Sequence, residues 1–454
     1  PSGSQPTARV SYVAHWYDEI GRQTATANYG TNADSEPTRP SSAPSSSDTI
    51  LVTSTEYNSA GQAYKTTDPA GREDRQEFDD AGRVTKSIQN YDDGTVSASY
   101  PDEDVTVETT YTADGQISTL TAKNPTTGDQ VTTYVYGTTL SDSEIARSDL
   151  LRAEIYPDSD DVADPLGNGT DGVYDRVEYK YDRLGARTEK KDQNGTVHTF
   201  EFDDLGRVLH DRVTTLGSGV DGDVRRVSTV YEVRGMPEKI TNYDNAAGGS
   251  GSVVNEVVLE YNDLGMLEKE YQEHEGAKDG NTLYVQYNRD TTASSGEFTK
   301  GLRRSSVRHP NGRLTHFTYG STDSTADALN RLDAIKDDSG GSPGDTLASY
   351  TYLGLGTIVV EDYEEPDVRL QYFASGSYDG FDRFGRVVDQ RWYDYGASAD
   401  RERYTYGYDR ASNRTYRENT ITSAKDEFYT YDEMNRLENF DRGDLNVGKT
   451  AISG

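Results

Sequence analysis

Five aspartates in one short segment are the side chains of this sequence best suited to hold a metal ion. They lie in YPDSDDVADPLGNGTDGVYD, residues 156–175, where Gly, Pro and Asn favour a loop. The five are Asp158, Asp160, Asp161, Asp164 and Asp171. Calcium takes roughly six to eight oxygen ligands, which carboxylates and loop carbonyl groups can supply, although the spacing is not that of an EF-hand. Two interpretations follow, a solvated acidic loop, which is favoured, and a calcium site; no other cofactor is predicted.

Candidates for catalysis are weaker. His198 and His210 lie in alternating segments typical of strands, and neither belongs to an HExxH or G-x-S-x-G motif. The chain has no Cys, so thiolate nucleophiles, thiolate metal sites and disulfides are excluded. Acidic residues are so numerous that no pair of them indicates a glycosidase. We therefore predict that the protein is not an enzyme and that its histidines decorate a sheet.

Composition limits the classes of partner. The 79 Asp and Glu residues outnumber the 46 Lys and Arg residues, giving a formal charge of −33, which disfavours nucleic acid. No apolar run is long enough for a membrane helix. Tyrosine, with 34 residues against 10 Phe and 2 Trp, must be the main packing residue, which suits thin sheets with two faces.

A recurring phrase defines the elements that would position these side chains. An aromatic residue is followed by Asp or Asn, two variable residues, Gly and often Arg. The residues that define the clearest copies are Tyr17, Asp18 and Gly21; Tyr57 and Gly61; Phe78, Asp79 and Gly82; Tyr181, Asp182 and Gly185; Phe202, Asp203 and Gly206; Tyr231 and Gly235; Tyr261 and Gly265; Phe381, Asp382 and Gly385; and Tyr431, Asp432 and Asn435.

The spacing of this phrase predicts a tight hairpin. Asp at the first position of a type I turn can accept the N–H two residues on, and Gly three residues later supplies a positive φ. Asn435 fits the same position, because Asn tolerates the left-handed region. The flanking residues alternate between polar and apolar, as in TVHTFEFD, which indicates strands. The Arg after Gly, as in Arg207, is expected to reach a neighbouring carboxylate or a Tyr ring.

The predicted fold class is therefore all-β, with repeated antiparallel hairpins in a long twisted ribbon that coils. Residues 1–454 are interpreted as a single ribbon region cut from a longer protein. Within it, residues 31–48 are a Ser/Pro-rich strap or linker, and residues 292–346 hold weaker repeats with longer loops. Asp68 to Gly71, Asn194-Gly195 and Asn311-Gly312 are interpreted as turns of other kinds, and one-turn helices are expected near 141–147 and 325–329.

The phrase Tyr-Asp-x-x-Gly-Arg resembles the YD repeat of the Rhs and teneurin proteins, over residues 17 to 437. Longer runs such as GFDRFGRVVDQRW and YGYDRASNR resemble those of very large exported bacterial YD-repeat proteins. The resemblance implies a ribbon that spirals into a hollow shell or tube. In bacterial members the shell often encloses a C-terminal toxin, but the motif that closes the Rhs core is absent from this sequence.

Three functions remain open. The favoured one is a non-enzymatic exported structural protein that forms an extracellular β-shell, tube or filament and associates with itself or with further YD-repeat segments. The second is a cell-surface adhesion or carbohydrate-binding module, for which exposed aromatics such as Trp392 and Tyr393 are candidates. The third is the wall of an Rhs-type cocoon around a toxin. All three predict an extracellular or cell-surface location, with neither nucleic acid nor a membrane span.

Overall fold

The computed structural model describes residues 8–289, 302–321, 324–372 and 380–453. The chain divides into two compact units, which we describe separately. Unit 1 comprises Pro1–Thr106 and Thr315–Gly454, and unit 2 comprises Val107–Leu314. Helix is short in the described ranges: α1 comprises Thr325–Ala328, and the 3-10 turns include Asn32–Asp34 and Ser423–Lys425.

Nearly all of the regular structure is β-strand. The strands are β1 Tyr12–Tyr17, β2 Gln23–Gly30, β3 Leu51–Tyr57, β4 Ala63–Thr67, β5 Glu73–Phe78, β6 Val84–Gln89, β7 Val105–Tyr111, β8 Ile117–Ala122, β9 Gln130–Tyr136, β10 Leu151–Ile155, β11 Val162–Ala163, β12 Leu166–Gly167, β13 Val177–Tyr181, β14 Arg187–Lys191, β15 Val197–Phe202, β16 Val208–Thr215, β17 Arg226–Tyr231, β18 Pro237–Tyr243, β19 Val253–Tyr261, β20 Leu267–Glu273, β21 Tyr284–Arg289, β22 Arg304–Arg308, β23 Leu314–Thr318, β24 Ala334–Ser339, β25 Ser342–Leu353, β26 Thr357–Tyr363, β27 Val368–Gln371, β28 Asp389–Asp394, β29 Ala399–Tyr408, β30 Arg414–Asn419, β31 Glu427–Tyr431 and β32 Leu437–Arg442.

Within each unit, a strand pairs antiparallel with the strand that follows it. In unit 1 this holds from β1 to β6 and from β23 to β32. In unit 2 it holds from β7 to β10 and from β13 to β22, with β10 pairing β13 and the small ribbon β11–β12 between them. The predicted all-β ribbon of antiparallel hairpins is confirmed.

The repeat hairpins share a shift in register beside the turn. In β15–β16, Glu201 lies opposite His210 but Phe202 lies opposite Val208, so the returning strand has one extra residue. The aromatic position of the phrase is the last paired residue before the turn. A Gly in the left-handed conformation beside such a shift forms a G1 bulge, which increases the right-handed twist of the hairpin.

The apolar core is thin. One cluster in unit 1 is formed by Trp16, Ala25, Ala27, Tyr29 and Val52, and another by Leu353, Val359 and Val360. Polar side chains such as those of Thr241 and Asn419 are also buried. This mixture of apolar and polar buried side chains agrees with sheets whose two faces are both partly buried and which do not enclose a thick core.

Within residues 31–48, Arg39 and Pro40 contact β1 of unit 1. The indole Nε1 of Trp16 donates to the carbonyl of Pro40 at 3.1 Å, and the Arg39 guanidinium lies 5.1 Å from the Trp16 ring centroid. Arg39 also donates to the carbonyl of His15 at 2.5 Å. This part of the segment thus lies against the side chain of Trp16.

Two shorter expectations have different outcomes. The helical turn near 325–329 is confirmed by α1. The one near 141–147 is wrong, because local side-chain bonds favour a turn: Asp142 Oδ1 accepts the N–H of Thr139, and Thr138 Oγ1 donates to the carbonyl of Ile145. Of residues 292–346, residues 292–301 and 322–323 lie outside the described ranges. No helix in the described ranges is long and apolar enough to cross a membrane.

Candidate functional site

The repeat turn is a compact set of hydrogen bonds around one carboxylate. In the turn after β15, the N–H of Asp203 donates to the carbonyl of Arg207 at 2.9 Å. The N–H of Gly206 donates to the carbonyl of Asp203, also at 2.9 Å. Asp203 Oδ1 accepts the N–H groups of Leu205 and Arg207, also at 2.9 Å. Its Oδ2 accepts Arg207 Nε at 2.7 Å. One carboxylate therefore fixes the backbone and the Arg side chain together.

The same pair of backbone bonds recurs along the chain. The first residues of the turns that have it are Asp18, Asn58, Asp68, Asp79, Thr112, Asp182, Asp192, Asp203, Glu232, Asn262, His309, Asp382, Asp409 and Asp432. The turns at 68–71, 194–195 and 311–312, interpreted from sequence as other kinds, thus have the repeat geometry. The turn at Asp409, within the run YGYDRASNR, has Ser412 in the position of Gly, with φ 72°. Asn435 takes the same position with φ 61°.

Several turns also contact the next one along the same edge of the ribbon. The guanidinium of Arg207 lies 4.3 Å from the ring centroid of Tyr231, and the hydroxyl of Tyr231 donates to the carbonyl of Val208 at 2.9 Å. Arg22 and Tyr57 make the same two contacts. The guanidinium of Arg22 lies 4.3 Å from the ring centroid of Tyr57, and the hydroxyl of Tyr57 donates to the carbonyl of Gln23 at 3.0 Å. The hydroxyl explains why the aromatic is so often Tyr, since Phe cannot donate this bond.

The glycine of the phrase has a second role besides its positive φ. A Cβ at Gly235 would lie 3.1 Å from Arg207 Nη1, and one at Gly61 would lie 3.3 Å from Arg22 Nη1. A Cβ at Gly206 would meet no atom within 4 Å. We call this succession of turns, Arg side chains and Tyr rings the turn column. At some turns Gly leaves room for the Arg of the turn before.

Electrostatics favours the ionised form of the turn carboxylates. The pKa values of Asp79 and Asp203 lie below the usual range. The largest cause is the hydrogen bond from the backbone N–H four residues on, at Arg83 and Arg207, and the side chains of the same two arginines add to it.

In unit 1, turns from late repeats contact the beginning of the chain. The carbonyl of Arg383 accepts the N–H of Thr31 at 2.9 Å, and Arg383 Nη1 donates to the carbonyl of Thr49 at 2.7 Å. A Cβ at Gly30 would lie 2.2 Å from the carbonyl oxygen of Arg383. The backbone therefore approaches so closely here that only Gly fits.

Two further turns make the same kind of contact through the same turn position. Arg410 Nε donates to Asp48 Oδ1 at 2.8 Å. The N–H of Glu433 donates to Asp102 Oδ2 at 3.0 Å, and its carboxylate accepts Asn90 Nδ2 at 3.0 Å. Arg383, Arg410 and Glu433 each follow the first residue of their turn. We call these contacts, which join residues more than 300 positions apart, the seam.

The acidic loop of unit 2 is organised around an arginine. Asp161 Oδ2 accepts Arg176 Nη1 at 2.7 Å, and the two side chains are 0% and 8% exposed. Asp160 instead accepts the N–H of Thr170 at 2.7 Å, and Asp171 Oδ1 accepts the N–H of Val173 at 2.7 Å. Asp158 lies in the turn after β10 and Asp164 in the turn between β11 and β12, and within the described ranges neither is hydrogen-bonded to the other three aspartates.

A metal site needs several ligands that converge, and the described ranges contain no group of three or more Asp, Glu, His or Cys side chains placed to hold a metal ion. The Arg176 charge beside Asp161 also opposes a cation. The calcium site stays a prediction, and Asp160, Asp161 and Asp171 accept hydrogen bonds within the loop.

The two histidines singled out in the sequence do not come together. His198 and Glu201 point to opposite faces of β15, and His210 lies opposite Glu201. His210 Nδ1 is within 2.9 Å of Ser228 Oγ, and burial lowers its pKa. No shared acid–base pair results.

The aromatic candidates for sugar binding are partly used in packing. Tyr406 is buried, its hydroxyl donates to Gln390 Oε1 at 2.6 Å, and burial raises its pKa to about 12. Trp392 is half-buried and stacks on Tyr363, with centroids 6.3 Å apart. Tyr393 follows Trp392 in β28 and therefore faces the other side of the sheet.

Comparison with known proteins identifies the fold. No family model and no curated protein matches the chain. Solved structures do match: a TcdB2-TccC3-TEV crystal structure has a TM-score of 0.52 at 13% identity and covers 94% of this chain and 21% of that chain. The fold is shared with TcdB2-TccC3. A second TcdB2-TccC3 structure has a TM-score of 0.51 at 13% identity, covering 95% and 23%, and the Photorhabdus luminescens Tc holotoxin pore has 0.51 at 11%, covering 94% and 23%. The chain spans under a quarter of the length of those proteins.

Proposed function

We propose that this protein is a non-enzymatic structural segment of a YD-repeat shell, tube or filament located outside the cell. The observation that supports this most is the turn column, in which successive hairpins use the same hydrogen bonds, ion pairs and ring contacts. Hairpins that bind their neighbours in this way extend a wall, because each new one covers the edge of the last. The likeness in fold to TcdB2-TccC3 supports the same role.

The seam supports the shell or tube form of this proposal. A ribbon whose late turns bind its first strands returns to its own beginning, which a straight fibre does not do. The partners that we propose are accordingly further segments of the same kind of ribbon, or further copies of the chain.

A second candidate is the wall of a cocoon that encloses a toxin. The solved structures that share the fold include a Tc holotoxin, and this likeness is the observation that favours it. The two candidates differ in whether a separate folded cargo lies within the wall.

Electron cryo-microscopy of the isolated chain, without imposed symmetry, tests the proposal. We expect a thin wall of paired strands that borders a solvent-filled space. A solid particle without such a space would contradict the structural-wall function. The same experiment on the product of the full gene separates the two candidates, because a cocoon would show additional density inside the wall.

A further inference from the structure

Unit 1 has a cavity of about 460 Å³ beside the turn at Asp382. Three segments that are distant in sequence form it: the residues just before β1 together with Thr31, the loop that joins β25 to β26, and the turn at Asp382 itself. Its volume lies within the range of small-molecule sites, roughly 300–1,000 Å³. The cavity is therefore large enough for a small ligand.

The charged side chains that line this cavity are both cations, Arg9 and Arg383. No Asp or Glu belongs to the lining among the described residues, although acidic residues outnumber basic ones by 79 to 46 in the whole sequence. Arg9 Nη2 donates to the carbonyl of Asp382 at 2.6 Å, and Arg383 Nη1 donates to the carbonyl of Thr49 at 2.7 Å. A guanidinium has several N–H donors, so both arginines keep donors for a ligand.

The carboxylates beside these two arginines already have cationic partners. Asp382 Oδ2 accepts Arg386 Nε at 2.6 Å. Asp48, which precedes the residue that Arg383 binds, accepts Arg410 Nε at 2.8 Å. Each of these carboxylates is offset by an arginine of its own, so the positive charges that line the cavity stay unbalanced. A cavity lined by charges of one sign favours a ligand of the opposite sign, here an anion.

The rest of the lining provides apolar surface. Leu353 belongs to a buried cluster of unit 1, and the ring of Phe381 packs against that cluster. Phe384 is half-buried and also lines the cavity. Leu355, in the loop between β25 and β26, is 73% exposed, so its side chain is available to a ligand. A ligand that fits this lining has an apolar body as well as a negative charge.

We propose that this cavity binds a small carboxylic acid with an apolar body, of the type of a medium-chain fatty acid. Arg9 and Arg383 bind the carboxylate, because the planar fork of a guanidinium matches the two carboxylate oxygens. Phe381, Phe384 and Leu355 contact the apolar body. This binding activity is separate from the structural role proposed above and does not depend on it.

Isothermal titration of the whole chain with octanoate tests the proposal. Two comparison ligands separate its parts: octanamide has the apolar body without the charge, and acetate has the charge without the body. We expect saturable binding of octanoate that weakens as salt is added, and at least tenfold weaker binding of the other two. Octanoate should also slow amide hydrogen exchange in residues 353–357 and 381–385, because it bridges the loop and the turn.

Variants assign the binding to the cavity. Arg9→Gln and Arg383→Gln should each weaken octanoate binding roughly tenfold, because each removes a charge-assisted hydrogen bond. Leu355→Ser should weaken it roughly threefold through the loss of apolar contact. Arg183→Gln is the matched control, because Arg183 also follows the first residue of its turn but lies in unit 2 and is 86% exposed. It should leave the affinity unchanged.

Thermal unfolding of each variant shows whether it is folded. If Arg383→Gln unfolds, Arg383→Lys replaces it and should weaken binding roughly threefold, because Lys lacks the fork. The proposal is overturned if the wild-type protein shows no saturable binding up to about 10 mM octanoate. It is also overturned if octanamide binds equally well, if inorganic phosphate competes as well as octanoate does, or if Arg183→Gln has the same effect as Arg383→Gln.

Discussion

Substitution of two equivalent glycines should separate the two roles that Gly has in the turn column. Gly206 and Gly235 have φ values of 78° and 94°. Alanine is strained in either place, and the left-handed conformation alone costs about 1–2 kcal/mol. A Cβ at Gly206 meets no atom within 4 Å, whereas one at Gly235 would lie 3.1 Å from Arg207 Nη1.

Gly235→Ala should therefore be the more damaging change. Arg207 must move from its position 4.3 Å above the ring of Tyr231, and an exposed cation–π contact contributes about 0.5–1 kcal/mol. We expect Gly206→Ala to lower the free energy of unfolding by about 1–2 kcal/mol and Gly235→Ala to lower it by about 0.5–1 kcal/mol more. In an Arg207→Met background the difference should disappear.

The chain itself supports this last expectation. Met236 occupies the position of Arg in the next turn, and a Cβ at Gly265 would be in ordinary contact with it, 3.5 Å from its methyl carbon. Because repeat arrays do not always unfold in one step, amide hydrogen exchange of β15 to β18 is measured together with urea unfolding. Equal effects of the two Gly substitutions, or a difference that persists with Met at position 207, would refute the reasoning.

Three further predictions concern the seam, acid and calcium. Gly30→Ala should speed amide hydrogen exchange at the seam, because the added Cβ overlaps the carbonyl of Arg383. Gly21→Ala is the control and should leave exchange unchanged, because its Cβ meets no atom within 4 Å. Unchanged exchange in both variants would contradict the contact at Gly30. The lowered pKa of Asp203 means that its carboxylate stabilises the fold above about pH 4 and that this contribution is lost as the pH falls through the folded-state pKa. The difference in Tm between wild type and Asp203→Asn should therefore shrink in acid, and a difference that stays constant down to pH 2 would argue against the turn ion pair. Millimolar calcium should leave Tm unchanged because Asp161 is already paired with Arg176, and a rise of several degrees would instead support the predicted calcium site.

Local parts of the fold could be predicted from the sequence because their causes are local. Asp203 and Gly206 lie within four residues of each other, and the hydrogen bonds between them need no other part of the chain. The pair Tyr408-Asp409 likewise indicates the turn at Asp409, although Ser412 there adopts a positive φ that Gly or Asn adopts with less strain. The turns with Asn-Gly or Pro-Ala-Gly lack the aromatic residue of the phrase, so the sequence does not group them with the repeat, although their backbone hydrogen bonds are the same.

The candidate sites were harder to predict because they depend on distant residues. Nothing near Arg383 or Glu433 indicates that they will bind residues more than 300 positions earlier. The pairing of Asp161 with Arg176 is closer in sequence, but a list of aspartates does not show which of them an arginine will neutralise.

The seam constrains how the length of this protein can evolve. A hairpin inserted into an antiparallel ribbon displaces everything beyond it by about 10 Å, since neighbouring strands are about 4.8 Å apart. Where a turn contacts only its neighbours, such an insertion leaves the contacts of the other turns unchanged. An added or lost hairpin among β24 to β27, however, would carry the turn at Asp382 away from Thr31 and leave Gly30 facing a different turn. Duplication and deletion of repeats should therefore be tolerated unevenly along the gene, with the number of hairpins in unit 1 held fixed by the contact at Gly30.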